Sequence, residues 1–129
     1  MRLAQHPKSV LIVDDDAHVR GGLRNFFEET GVQVCGEATN GGEAISMAMA
    51  LKPELVIMDL RMPMMNGAEA AATIRKTLPD TRIVIFTLFS DAFGKFMAKL
   101  SGVDVVVSKA EGTGGLAKAL HKLFAASLS

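Results

Sequence analysis

Four short apolar runs punctuate the chain, Val10–Val13, Leu55–Met58, Ile83–Phe86 and Val103–Val107, the last interrupted by Asp104. They are too short for helices and do not alternate apolar with polar. That pattern predicts strands buried on both faces, as in a parallel sheet covered by helices. A weaker strand is predicted over Val32–Gly36, edge-like because Gln33 interrupts it. Between the strands the period becomes helical. Val19, Leu23, Phe26 and Phe27 fall at helical spacing, with Gly31 as a C-terminal stop. Asn40 with Glu43 resembles a capping box, opening a helix through Ala44, Ile45 and Ala48 that ends before Pro53. Asn66 with Glu69 repeats the signal for a helix carrying Ala71, Ile74 and Leu78, closed by Pro79. Ser90 can cap a helix with Phe93, Met97 and Leu100 inward, stopped by Gly102, and Leu116, Leu120, Leu123 and Phe124 form a last stripe. Five β-α repeats joined by right-handed crossovers give an α/β fold, an open parallel sheet with helices on both faces.

Composition narrows the function classes without choosing one. The 129 residues suit one domain, with an N-terminal tail over residues 1–8 and a small-residue tail over 125–129. Fourteen Lys and Arg balance fourteen Asp and Glu, so no global field draws in nucleic acid or an acidic membrane. The single cysteine, Cys35, rules out an internal disulfide and reads as a small buried hydrophobe suited to a reducing cytosol. Only four apolar residues, Val10–Val13, follow the basic Arg2 and Lys8, too few for an export signal. No stretch approaches the ~18 apolar residues that cross a bilayer. A soluble, cytoplasmic protein is expected.

In such a sheet, ligands bind beyond the carboxyl ends of the strands. Asp14 and Asp15 follow the first apolar run, Asp59 the third, Thr87 the fourth, and Lys109 the fifth after Ser108. Each alone admits a plainer explanation: an aspartate before a helix is often a cap, as Asp16 is read here, and a lysine past a strand is often solvated. Together they bring carboxylates, a hydroxyl and an ammonium to one edge. Two carboxylates about 4 Å apart repel by roughly 4 kcal/mol at an effective dielectric near 20, so the group calls for a cation. Hard oxygen ligands with room for water and phosphate oxygens suit magnesium. Charge neutralisation and positioning are what phosphoryl transfer asks of a protein, and an aspartate can accept the group covalently.

These residues resemble the receiver domains of bacterial response regulators in two-component signalling. The resemblance runs from Val10-Leu11-Ile12-Val13-Asp14-Asp15 through Met58-Asp59-Leu60-Arg61-Met62-Pro63 and Asn66-Gly67 to Thr87 and Lys109. It implies the flavodoxin-like strand order 2-1-3-4-5 with five helices on both faces. It implies that Asp59 is the phosphoacceptor. Asp15, Asp59 and the main-chain carbonyl of Arg61 would ligate Mg2+, and Asp14 would help through water. Thr87 would follow the phosphoryl group and Lys109 would pair with it. The implied donor is a phosphohistidine on a sensor kinase or phosphotransfer protein. Output would pass through the face made by the fourth helix, fifth strand and fifth helix (Phe93–Leu100, Val103–Val107 and Leu116–Phe124) to a downstream protein, with room for a phosphorylation-dependent dimer. The domain would be a switch, not an enzyme on other substrates, with no direct nucleic-acid or membrane binding.

Val19-Arg20-Gly21-Gly22-Leu23-Arg24 and Gly36-Glu37-Ala38-Thr39-Asn40-Gly41 are similar to receivers that precede LuxR-type helix-turn-helix domains. No such domain follows within the chain, which leaves a single-domain regulator and a piece of a longer one both open. Three positions depart from the family pattern. Val106 stands where an aromatic is usual, Leu88 where a small residue is usual, and Ala110 where many members have proline. Leu88, with Phe89 beside it, is expected to shield an acyl phosphate from water. The rival within the family is a degenerate receiver that serves as an unphosphorylated binding scaffold. A phosphatase of the haloacid dehalogenase type would need a second aspartate at position 61, which is Arg61. A dinucleotide site would need a glycine loop after the first strand, and an EF-hand would need glycine at Val19. His6, His18 and His121 read as surface residues, and Met62, Met64 and Met65 as loop packing.

Overall fold

Alternating side chains on the strands build two cores, one on each face of the sheet. The computed structural model describes residues 6–88 and 92–126. In chain order the elements are β1 (Ser9–Val13), α1 (Ala17–Glu29), β2 (Gln33–Ala38), α2 (Gly41–Leu51), β3 (Leu55–Met58), α3 (Gly67–Thr77), β4 (Arg82–Thr87), α4 (Ala92–Leu100), β5 (Val105–Ser108) and α5 (Gly112–Ala126). A short 3-10 turn, Lys109–Glu111, joins β5 to α5. All pairings are parallel and the strand order is β2-β1-β3-β4-β5, as the resemblance implied. Val10, Ile12, Leu55, Ile57, Val84 and Phe86 pack with Leu23 and Phe27 of α1 and with Leu116 and Leu120 of α5. Leu11, Val13, Val56, Met58, Ile83 and Ile85 face the alanine-rich α2 and α3, with Ala98 of α4.

The helix starts follow the capping signals. Asn66 and Glu69 form a complete capping box on α3. On α2 the Asn40 side chain accepts the Glu43 N–H, but the Glu43 carboxylate turns to the Thr39 N–H and hydroxyl instead of closing the box. Gly31 and Gly102 both take positive φ, at 85° and 82°, where a side chain would be strained.

Several boundaries move. β5 begins at Val105, because the Asp104 carboxylate takes the Ile83 N–H (2.7 Å) and the Arg75 guanidinium (2.8 Å). It ends the sheet, and Val105 and Val106 are only half-buried, unlike a strand covered on both faces. β2 runs through Ala38, two residues past its expected end, with a register shift opposite Val10 and Leu11. The last helix continues to Ala126, into the stretch read as a tail. On α4 it is Gly94 and Ala98 that are buried, whereas Met97 is 39% exposed rather than inward. Ser90, Phe89 and the side chains of Phe93 and Leu100 lie outside the described residues. Among those described, no helix is long and apolar enough to cross a membrane.

Candidate functional site

Register decides which strand-end residues meet. Val13 pairs with Met58, so Asp14 and Asp59 leave the sheet side by side. The Asp59 N–H donates to the Val13 carbonyl (3.0 Å) and the Asp14 N–H to Ala38 (3.1 Å), which holds both residues at the sheet edge. Thr87, fully buried, pairs with Ser108, so Lys109 begins the next turn above the same edge.

Carboxylate oxygens of Asp14, Asp15 and Asp59 all lie within 4.8 Å of one another. Asp14 and Asp59 are buried (1% and 7% exposed), while Asp15 is open to solvent. The Lys109 ammonium sits between the buried pair, 2.7 Å from Asp14 Oδ2 and 3.1 Å from Asp59 Oδ2. The remaining oxygens take backbone donors: Asp14 Oδ1 accepts the Asp16 N–H (2.9 Å) and Asp59 Oδ1 accepts the Leu60 N–H (2.7 Å). Burial pushes the Asp14 carboxyl above its ordinary value, against the opposing pull of Lys109 and the Asp16 amide. Burial pulls the Lys109 ammonium down, yet the bond to Asp14 and the charges of Asp59 and Asp14 outweigh it, and its pKa is raised. Lys109 is therefore a fixed cation. Three hard carboxylates in that space, one of them open to water, could hold a hard divalent metal ion.

Of the residues singled out in the sequence, Asp14, Asp15, Asp59 and Lys109 converge directly. Thr87 closes β4 at the same edge, and Arg61 lies exposed on the loop between β3 and α3. Asp16 is the α1 cap, accepting from the His18 and Val19 amides. Cys35 is half-buried, its thiol donating to the Val10 carbonyl (3.4 Å). His18 and His121 are exposed and His6 is half-buried.

Two supporting residues escape the strand-end pattern. Gly67 donates its N–H to the Leu60 carbonyl (2.7 Å), and a Cβ there would meet the Asp59 carbonyl. The glycine after the Asn66 cap was the signal for this close approach. Arg20 donates from Nη1 to the Asp14 carbonyl (2.7 Å) from one turn inside α1. Nothing local distinguishes it from any polar helix residue.

Comparison with known proteins gives a consistent neighbourhood. Residues 10–121 match the model of the response regulator receiver domain. The response regulator protein VraR of Staphylococcus saprophyticus is 35% identical over 119 residues, 92% of this chain and 57% of that protein. The chain thus spans a little over half the length of the curated relatives it matches. A two-component response regulator of the LuxR family from Aurantimonas sp. superposes with a TM-score of 0.87 at 31% identity, covering 94% of this chain and 86% of that one. A co-crystal structure of the Saccharomyces cerevisiae histidine phosphotransfer signaling protein Ypd1 with the receiver domain of its downstream response regulator Ssk1 contributes another match. Its TM-score is 0.83 at 27% identity, over 93% of this chain and 91% of that chain.

Proposed function

Because the chain belongs to the response regulator receiver family of two-component signalling, we propose that Asp59 accepts a phosphoryl group from a phosphohistidine. The observation that carries the proposal is the Lys109 ammonium bridging Asp14 and Asp59, with Asp15 completing the acidic cluster. An Asp59 carboxylate oxygen forms the new O–P bond while the P–N bond to the donor imidazole breaks. The imidazole leaves with the electron pair and takes up a proton from water.

Asp15 and Asp59, with the main-chain carbonyl of Arg61, would hold Mg2+, and Asp14 would act through water. Bound there, the ion supplies neutralisation of carboxylate and phosphoryl charge. Lys109 follows the negative charge from Asp59 onto a phosphoryl oxygen, and the Thr87 hydroxyl donates to another. Lys109 starts the turn into α5 and Thr87 ends β4, so a change at either reaches the α4–β5–α5 face. Phosphorylation would bias a two-state equilibrium there, which a downstream protein or a second copy reads.

The donor is a sensor histidine kinase or a phosphotransfer protein, as in the Ypd1–Ssk1 pair. The domain acts in the cytoplasm and catalyses only its own phosphorylation and dephosphorylation. Intact-mass measurement after incubation with acetyl phosphate and Mg2+ tests this reading. One added phosphoryl group is expected, absent from Asp59→Asn. An unmodified parent protein would reject it in favour of a non-phosphorylated scaffold.

A further inference from the structure

We propose that Arg20 is a positioning residue for the metal-binding acidic loop. It fixes the peptide that joins Asp14 to Asp15. The inference rests on the proposed function and extends it to a side chain outside the proposed metal ligands.

Arg20 lies on α1 with its side chain 16% exposed, and it spends its guanidinium on two partners. Nη1 donates to the Asp14 carbonyl at 2.7 Å and Nε donates to Glu37 Oε1 on β2 at 3.1 Å. Arg24 takes the other Glu37 oxygen, Oε2, at 2.7 Å, so it braces Glu37 without replacing Arg20. The Asp14 carbonyl belongs to the peptide plane shared with Asp15, and turning that plane swings the Asp15 Cα–Cβ bond. Asp14 has other restraints, since Lys109 and the Asp16 amide hold its carboxylate. Among the described residues no hydrogen bond holds the exposed Asp15 carboxylate, so backbone placement is what aims it. Outer-shell groups that orient ligands in this way are a recurrent part of metal sites.

Arg24→Ala is the matched control, because it removes a Glu37 pair and loosens α1 against β2 while leaving the Asp14 carbonyl capped. Calorimetric Mg2+ titration should show affinity reduced on the order of tenfold in Arg20→Ala, the low end of outer-shell effects, with Arg24→Ala close to the parent. Arg20→Gln, which cannot span both partners, provides the same reading if Arg20→Ala folds poorly. Equal losses in the Arg20 and Arg24 variants, or none in Arg20→Ala, would overturn the inference. A second readout needs no metal. Exchange of the Asp16 amide, bonded to Asp14 Oδ1, should quicken in the Arg20 variants and not in Arg24→Ala. If the parent binds no Mg2+, the proposed function fails, and this exchange comparison alone decides whether Arg20 orders the loop.

Discussion

Gly67 approaches the carbonyl oxygen of Asp59 so closely that a Cβ built on it would overlap that oxygen. The first residue of α3 is thus packed on the backbone of the acidic strand end, and its N–H reaches Leu60 at the same crossing. Glycine is normally a liability in a helix, by about 0.5–1 kcal/mol relative to alanine. Here the contact reverses the sign. Gly67→Ala should destabilise the fold by about 1–3 kcal/mol, as overpacking against rigid backbone does, and should slow phosphorylation of Asp59 by displacing it. Urea denaturation checks the first effect, and a stability equal to or above the parent's would contradict it.

Removing the cation between Asp14 and Asp59 should be costly. The Lys109 side chain is 13% exposed, and its two partners are nearly buried. In metal-free buffer, Lys109→Met should lose about 3–5 kcal/mol, because two desolvated carboxylates are left facing each other. Added Mg2+ should restore part of that loss, as a replacement cation at the same acidic cluster. Denaturation with and without Mg2+ measures both, and a variant as stable as the parent without metal would contradict the electrostatic account.

How much of this was legible in the sequence follows from which signals are local. Strand ends carrying Asp14, Asp59, Thr87 and Lys109 were readable because parallel strands all deliver their next residues to one edge. The capping box at Asn66 was readable for the same local reason. Tertiary hydrogen bonds were not. Asp104 delays β5 by bonding Ile83 on the neighbouring β4 and Arg75 on α3, which no apolar run encodes. Glu43 abandoned its own box for Thr39, and Arg20 found the Asp14 carbonyl only through the α1–β1 geometry. Burial of Val105 and Val106 was overestimated because a sequence run does not say which strand ends a sheet.

Glu37 should leave a signature in the acid limb of stability. Its hydrogen bond from Arg24, aided by the charges of Arg24 and Arg20, holds its carboxyl below the ordinary 4.5 despite some burial. A carboxyl depressed on folding contributes stability that is complete above its unfolded value and is lost as pH falls through its folded value. The parent should therefore exceed Glu37→Gln by about 0.5–1 kcal/mol at neutral pH, typical of a part-exposed ion pair. The gap should close below pH 4.5. Urea titrations at neutral and acidic pH compare the two, and a gap unchanged on acidification would contradict it.

Asp15 provides a clean test of the metal, because it is exposed and its loss should leave the core intact. If Mg2+ binds only the folded state, a concentration ten times its dissociation constant should add about 1.4 kcal/mol. That gain should shrink or vanish in Asp15→Ala, whose stability without metal should stay near the parent's. Thermal melts with and without Mg2+ measure both quantities. An equal rise in the two proteins would place the ion elsewhere.

Leu88 is 65% exposed directly after Thr87, a leucine that packs into neither core. Leu88 follows the strand end that meets the acidic edge, and there it would limit the access of water to an Asp59 acyl phosphate. Hydrolysis needs a water molecule to reach phosphorus in line with the Asp59 oxygen. A bulky apolar group on the rim makes that approach less populated without changing the carboxylates beneath. Leu88→Ala should therefore shorten the life of the phosphorylated protein on the order of tenfold, equivalent to about 1.4 kcal/mol in the barrier. Its phosphorylation by acetyl phosphate should be at least as fast as the parent's, since a small donor gains access too. Following loss of the phosphoryl mass over time separates these steps, and equal lifetimes for parent and variant would reject the shielding role of Leu88.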